Sequence, residues 1–212
     1  MLDIPLSEPR SGPSRFFAYV QDASWYRAFL LPVVTSLRDL SPGSRVLDIG
    51  TGPGKLLALL RQEAALDCVG VDADRAMLLE ARKRPELAGV SLVHVPIGQP
   101  LPFQPQTFDA LCFCSMLYLL SAEEVFALLQ QAKALLCPAG RMVILTPTGK
   151  GALRFAPLQR HWTFYLWRRL TASAGRHWQT QQLAATFAEK EGMASACHLV
   201  FSDMATVEVL TA

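Results

Sequence analysis

Val46-Leu-Asp-Ile-Gly50-Thr-Gly-Pro-Gly54 is the most informative stretch of this 212-residue sequence. The apolar run from Arg45 to Ile49 predicts a buried strand, and the leucine pattern from Pro53 to Glu63 predicts a helix directly after it. Glycines at such a turn let the backbone approach a ligand closely, and the first turn of the helix presents free N–H groups. The stretch therefore predicts a ligand-binding turn in an α/β protein.

The spacing of the glycines argues against a dinucleotide. A nicotinamide or flavin turn of the form GxGxxG would place its third glycine at position 55, which is Lys55 here, whereas the third glycine is Gly54. Asp48 also stands two residues before Gly50, where its charge would repel a pyrophosphate. The turn instead favours a ligand that has a cationic centre and an amino group.

A second acid follows the next predicted strand. Val69-Gly-Val-Asp72 ends that strand, and an acid in this position of a parallel sheet can accept hydrogen bonds from both ribose hydroxyls. Asp72 could instead be only a helix cap, but Asp74 already fills that role. Asp48 and Asp72 together predict a nucleoside that carries a positively charged or zwitterionic tail.

Strands and helices alternate through the middle of the chain, which predicts a parallel sheet covered on both faces. Ser121 and Glu124 form a capping-box pattern at the start of one helix. A helix closed by Gly192 and an antiparallel pair of strands end the chain, while Pro32 is expected to break a helical segment at residues 14–40. The predicted strands are residues 45–49, 67–71, 91–95, 108–114, 141–145, 194–201 and 205–211, and the last predicted helix is residues 179–191.

Residues 45–146 resemble the class I S-adenosylmethionine-dependent methyltransferases, specifically the small-molecule group that includes quinone-biosynthesis enzymes. The resemblance rests on the segments VLDIGTGPG, GVDADRAML, LPFQPQTFDAL and LLCPAGRMVIL. It implies an α/β, Rossmann-like, doubly wound sheet of seven strands in the order 3-2-1-4-5-7-6, with the last strand antiparallel and with helical cap segments. It also implies S-adenosyl-L-methionine as cofactor and S-adenosyl-L-homocysteine as product.

The resemblance assigns cofactor contacts to particular positions. Asp72 would hold the ribose, Ala73 and Met77 would contact the adenine, and Tyr19 would close over the methionine end. The family commonly has an acid for the adenine amino group where this chain has Ile97, so adenine recognition is expected from backbone near Ile97 and Gly98, or from Gln99. The positions assigned to the methionine and ribose are Asp48, Gly50, Thr51, Gly52, Gly54, Cys114 and Ser115.

Aromatic and basic residues are concentrated outside the alternating core. Residues 1–40 are expected to form an N-terminal arm and an aromatic cap helix, and residues 41–212 the core domain. Within that core, residues 150–178 hold six basic residues and no acid, which predicts a basic aromatic lid insertion. This segment either packs simply as a lid helix or forms an apolar acceptor site ringed by Arg160, Arg168 and Arg169.

Methyl transfer needs alignment more than acid–base chemistry, because the cofactor supplies the electrophile. His161 and Tyr165 are the candidate base or substrate contacts, and Tyr118 is a further candidate that could equally be a core aromatic. The expected acceptor is a small aromatic or amphipathic molecule that can carry an anionic group. The segment 150–178 could also contact a membrane surface, whereas nucleic acid is disfavoured because the positive charge is confined to that segment. The rival hypothesis is a non-catalytic nucleoside-binding protein on the same fold.

Composition is typical of a globular domain, with 51% hydrophobic residues, 18% charged residues and a net charge of +2. Five cysteines without a CxxC pair predict a reducing, cytoplasmic location and no metal site. The longest near-apolar stretch, residues 110–120, is too short to span a bilayer.

Overall fold

The computed structural model describes residues 12–150 and 162–211, which form one sheet flanked by helices. The strands are β1 (Arg45–Ile49), β2 (Asp67–Asp72), β3 (Ser91–His94), β4 (Phe108–Cys114), β5 (Leu136–Pro147), β6 (Ala194–Val200) and β7 (Ala205–Thr211). The α-helices are α1 (Gly12–Gln21), α2 (Ser24–Thr35), α3 (Lys55–Ala64), α4 (Arg75–Ala81), α5 (Ala122–Leu135), α6 (Trp162–Gln181) and α7 (Leu183–Glu191).

The strand order is β3-β2-β1-β4-β5-β7-β6. Strands β1 to β5 pair in parallel, while β7 is antiparallel to both β5 and β6. A tight turn connects β6 to β7, and its residues Phe201, Ser202 and Asp203 all have left-handed backbone angles, with φ between 52° and 63°. The predicted fold class, sheet order and antiparallel last strand are confirmed.

Two hydrophobic layers cover the sheet because successive strand residues point to opposite faces. Val46 and Cys112 pack in the layer that contains α2, α3 and α6. Leu47 and Phe113 pack in the opposite layer with α5 and α7. Both layers leave the carboxyl ends of the parallel strands available to a ligand.

The expected helix break at Pro32 is wrong. Pro32 lies inside α2, in its last turn, and the chain breaks earlier, between α1 and α2 at Asp22 and Ala23. Proline in a helix costs about 3 kcal/mol, yet α2 buries Phe29, Val33 and neighbouring apolar residues, which offsets that cost.

Two further boundaries differ from the prediction. The predicted helix at 179–191 is the end of α6 followed by α7, and Gln182 separates them with φ 48°. The predicted fifth strand extends to Leu136–Pro147, with a register irregularity opposite residues 108–110 of β4. Glu124 and Ser121 form the predicted capping box at α5.

The N-terminal helix α2 and the long helix α6 are packed into the core. Trp25 contacts Phe164 and Trp167, and its indole N–H donates to Thr163 Oγ1 at 3.0 Å. Residues 1–11 of the expected arm and residues 151–161 of the expected lid lie outside the described residues, so the division at 1–40, 41–212 and 150–178 stays a prediction. Within residues 12–150 and 162–211, no helix is long and apolar enough to cross a membrane.

Candidate functional site

A cavity of about 550 Å³ opens at the carboxyl ends of β1, β2 and β4. In open parallel sheets this edge is the usual place for ligands. Most of the residues assigned to the cofactor line this cavity. They are Gly50, Gly52, Asp72, Ala73, Met77, Ile97, Gly98, Cys114 and Ser115.

The glycine turn closes one wall of the cavity. The backbone N–H groups of Gly50 and Thr51 both donate to the carbonyl oxygen of Val71, at 2.9 and 3.0 Å. Gly50 has φ +73°, and a Cβ there would stand 2.8 Å from Cγ of Met116. The turn is therefore held against β2 in a shape that only glycine accepts at position 50.

Gly54 and Thr51 belong to the turn but do not line the cavity. Gly54 has φ +78°, and a Cβ there would collide with Cδ1 of Leu87. Thr51 is buried, with its hydroxyl beside the Asp48 carboxyl. The structure therefore gives both residues a role in shaping the turn, whereas the sequence predicted ligand contacts for them.

Asp72 is tied to the turn through both carboxylate oxygens. Oδ2 accepts the N–H of Gly52 at 2.7 Å, and Oδ1 accepts the N–H of Asp74 at 2.8 Å. Burial raises the pKa of Asp72, and these backbone hydrogen bonds oppose the rise by favouring the carboxylate. Each oxygen keeps a further lone pair for a ligand hydroxyl.

Asp48 lies behind the turn, where only 1% of its surface is exposed, and it does not line the cavity. Burial raises its pKa to about 7, the Thr51 hydroxyl lowers it, and the nearby Asp72 charge raises it. The direct contact of Asp48 with the cofactor stays a prediction.

The expected adenine end is formed by Ala73, Met77, Ile97, Gly98 and Gln99. Ile97 is 63% exposed and supplies no carboxylate. An imidazole stands nearby, with Nε2 of His94 3.0 Å from the carbonyl oxygen of Ala73. The polar groups available at this end include the backbone, Gln99 and Asp74.

At the end of β4, Cys114, Ser115 and Tyr118 face the cavity. Ser115 has φ 56°, which turns the chain sharply out of the strand. Burial raises the pKa of Tyr118 to about 12 and that of the Cys114 thiol well above its ordinary value. Both groups are therefore neutral at physiological pH.

Of the two other candidate catalytic residues, the structure describes Tyr165 but not His161. Tyr165 is 44% exposed and is absent from the cavity wall. His161 lies outside the described residues, as does Arg160. Arg168 and Arg169 do not line the cavity either, so the expected ring of arginines around an acceptor is not seen among the described residues.

Tyr26, and not the predicted Tyr19, is the N-terminal tyrosine of the cavity. Tyr19 points outward and stacks on Trp162 with ring centres 6.0 Å apart. Gln21 Nε2 lies 3.5 Å from the Tyr26 hydroxyl, and Gln21 Oε1 accepts the N–H of Lys55 at 3.3 Å. Gln21 thus joins α1 to the first turn of α3.

Several residues of the cavity wall were not predicted from the sequence. Gln21 and Tyr26 come from the cap, Met116 follows β4, and Gln131 lies on α5. Residues 16–29 contain six aromatic residues, and their spacing does not indicate that Tyr26 is the tyrosine that lines the cavity. Gln131 belongs to a helix whose sequence predicted only packing.

Known proteins share both the sequence pattern and the fold. Residues 46–140 match the family model for a methyltransferase domain. This segment is similar to the methyltransferase domain and contains the glycine turn, Asp72, β1 from Val46 onward and strands β2 to β4. The resemblance drawn from the four quoted segments is confirmed.

Three known proteins show the extent of the similarity. The chain is 29% identical over 143 residues to a demethylmenaquinone methyltransferase from Thermus thermophilus, covering 66% of this chain and 62% of that protein. It is 27% identical over 144 residues to a protein-L-isoaspartate O-methyltransferase from Pyrococcus horikoshii, covering 66% of this chain and 54% of that one. A crystal structure of a SAM-dependent methyltransferase from Aquifex aeolicus has the same fold, with TM-score 0.65, 17% identity and coverage of 95% and 98%.

The chain spans between about a third and three-fifths of the length of the curated relatives that it matches. The structural match at 17% identity shows the fold alone. Activity and acceptor are therefore argued from the site itself.

Proposed function

We propose that the protein transfers a methyl group from S-adenosyl-L-methionine to a small aromatic or amphipathic acceptor. The observation that carries the proposal is the charge of the cavity wall. Among the described residues the wall includes the carboxylates Asp72, Asp74 and Glu124 and no lysine, arginine or histidine. Such a wall repels phosphates and favours a ligand with a cationic centre.

The residues fit each part of that cofactor. Asp72 offers a lone pair on each oxygen to the ribose hydroxyls while Gly52 and Asp74 hold its carboxylate still. Ala73 and Met77 supply apolar contacts for the adenine, and Gly50 allows the backbone to come close. When bound, the cofactor supplies an electrophilic methyl group on a sulfonium.

The other end of the cavity is apolar and aromatic. Phe16, Val20, Tyr26 and Trp167 line it together with Tyr118. An acceptor with a flat or aliphatic body would bury its surface there, at roughly 25 cal/mol for each Å² removed from water. An anionic group on the acceptor would remain outside the described wall, which has no cation to pair with it.

Alignment is the main chemical contribution of the chain. Holding two reactants in line is worth roughly 7–11 kcal/mol. Tyr118, neutral because burial raises its pKa to about 12, can donate a hydrogen bond to the acceptor but cannot remove a proton at neutral pH. The proposal therefore favours acceptors that ionise readily or carry a free lone pair.

A labelled-methyl assay tests the proposal. The protein is incubated with S-adenosylmethionine carrying a radioactive methyl group and with a panel of phenols, quinols and amphipathic carboxylates. Label recovered in an acceptor, with equimolar S-adenosylhomocysteine, supports the proposal. Turnover with none of the panel, alongside tight cofactor binding, would favour the alternative below.

The alternative is a non-catalytic nucleoside-binding protein on the same fold. One feature favours it, namely that Ile97 replaces the acid that the family commonly places against the adenine amino group. Turnover by the unmodified protein separates the two functions, and replacing Ile97 by Asp tests whether the missing acid weakens cofactor binding. Under the proposal, Ile97→Asp tightens cofactor binding in a protein that already turns over.

A reducing cytoplasmic location is part of the proposal, because all five cysteines are free.

A further inference from the structure

Exposed large apolar side chains are concentrated on two neighbouring helices. Of the eight such residues among the described ones, five lie on α1 and α6. Between 43% and 61% of each is exposed. We call this surface the α1–α6 face, and it is formed by Phe17, Tyr19, Trp162, Tyr165 and Leu170.

The two helices form one continuous surface. Trp162 contacts Tyr19 in a stacked arrangement at 6.0 Å and Phe16 at 6.2 Å. Beneath them, the hydrogen bond from Trp25 to Thr163 and the packing of Trp25 on Phe164 fix α2 against α6. These exposed rings are therefore held in place by a buried aromatic cluster.

The charge of the two helices has a single sign. Helices α1 and α6 contain Arg15, Arg168, Arg169 and Arg176 and no acidic residue. On α6, Arg169 lies seven residues after Trp162, so both side chains are on the same side of the helix. Tryptophan, tyrosine and arginine on one face are typical of helices that rest in the headgroup region of a membrane.

We propose that the α1–α6 face docks on the surface of a bilayer rich in anionic phospholipids. The positive charge complements the headgroups, and the aromatic rings are suited to the boundary between headgroups and acyl chains. A second copy of the chain is a poorer partner, because it would bring a helix pair of the same positive charge, including the exposed Arg15 and Arg169, against this one.

The position of the face suggests what docking achieves. Phe17 and Leu170 belong to the α1–α6 face and also line the cavity, so the face borders the cavity mouth. Resting on the proposed function, we infer that an amphipathic acceptor enters the cavity directly from the bilayer. The membrane contact itself does not depend on methyl transfer.

Tryptophan fluorescence is a sharp probe of this contact. Trp25, Trp167 and Trp178 are buried, whereas Trp162 is 58% exposed, so a change in emission on docking reports on Trp162. Vesicles of phosphatidylcholine with phosphatidylglycerol should shift the emission to shorter wavelength and sediment with the protein. Vesicles of phosphatidylcholine alone should bind at least tenfold more weakly, and added salt should weaken binding to the anionic vesicles.

Variants assign the contact to the face. Co-sedimentation should fall at least tenfold for the double variant Trp162→Gln with Tyr165→Gln, and about fivefold for Arg169→Gln, since each basic residue contributes about 1 kcal/mol. Leu199→Gln on β6 is the matched control, because Leu199 is equally exposed, at 62%, but lies on another element. It should bind as the wild type does.

Several outcomes would overturn the docking proposal. They are equal binding to neutral and anionic vesicles, no binding to either, and equal loss of binding in Leu199→Gln and the double variant. Tighter binding to RNA than to anionic vesicles would also overturn it. Calorimetric titration with S-adenosylmethionine in the absence of lipid tests the proposed function separately, so a failure of one is distinguishable from a failure of the other.

Discussion

The N–H of Gly52 donates a 2.7 Å hydrogen bond to Oδ2 of Asp72, which joins the glycine turn after β1 to the acid that ends β2. The other oxygen of Asp72 accepts the N–H of Asp74 at the start of α4. One carboxylate therefore holds three segments at the mouth of the cavity. A ligand bound by Asp72 also contacts the glycine turn, and Asp72 itself maintains the shape of that turn.

Replacing Asp72 by Ala should weaken S-adenosylmethionine binding at least tenfold, which corresponds to about 1.4 kcal/mol. The variant loses the ribose acceptor and the hydrogen bond to Gly52 together. Asp67→Ala is the control, because Asp67 lies on the same strand at its exposed end and forms an ion pair with Arg45 at the surface. Isothermal titration compares the two, and equal affinity of Asp72→Ala and wild type would refute the ribose assignment.

The cost of steric overlap at Gly54 can be measured separately from the cost of backbone strain. Gly54 and Gly43 have nearly equal φ, +78° and +83°, but a Cβ on Gly43 meets nothing within 4 Å whereas one on Gly54 collides with Leu87. Alanine at either position should cost about 1–2 kcal/mol of backbone strain. Gly54→Ala should cost roughly 1–3 kcal/mol more from overpacking. Urea unfolding measures both, and equal losses of stability would contradict the steric account.

Asp48 should make stability fall as pH rises. Burial raises its pKa to about 7, while an aspartate in the unfolded chain titrates near 4. Between those values the folded state keeps a proton that the unfolded chain releases, so the free energy of unfolding decreases across that window and stays low above it. Asp48→Asn cannot titrate and should therefore gain stability relative to wild type as pH rises from about 4 to 8. Melting temperatures that differ by the same amount at both ends of the range would rule this out.

Tyr26 should matter to cofactor binding and Tyr19 should not. Tyr26 lines the cavity and its hydroxyl accepts from Gln21 Nε2 at 3.5 Å, whereas Tyr19 faces outward against Trp162. Removing one hydrogen bond is worth about 0.5–1.5 kcal/mol, so Tyr26→Phe should lower S-adenosylmethionine affinity by roughly twofold to tenfold. Tyr19→Phe is the matched control. A larger effect from Tyr19→Phe would restore the original assignment of that residue.

Local signals in the sequence were enough to predict the sheet. The apolar run before Gly50, the acid Asp72 and the capping box at Ser121 are each fixed by residues close in the chain. Parallel strands joined by helices then leave few topologies open. The boundary at Pro32 was missed because tertiary packing of α2 outweighs the local penalty of proline.

The site was predictable on the side formed by the core and much less so on the side formed by the cap. Asp72 and Gly52 act through backbone geometry that the turn sequence encodes. Tyr26 and Gln21 reach the cavity only because α1 and α2 fold over the turn, which depends on contacts between residues far apart in sequence. Asp48 was predicted to touch the ligand because its charge was visible in sequence while its burial was not.

Calorimetric titration of the purified protein with S-adenosylmethionine, S-adenosylhomocysteine and NADH tests the central claim most directly. A wall with Asp72, Asp74 and Glu124 and no described basic residue predicts one site that binds both sulfur nucleosides and gives no heat with NADH. The account is contradicted if neither sulfur nucleoside binds at high micromolar concentration, or if NADH binds in their place.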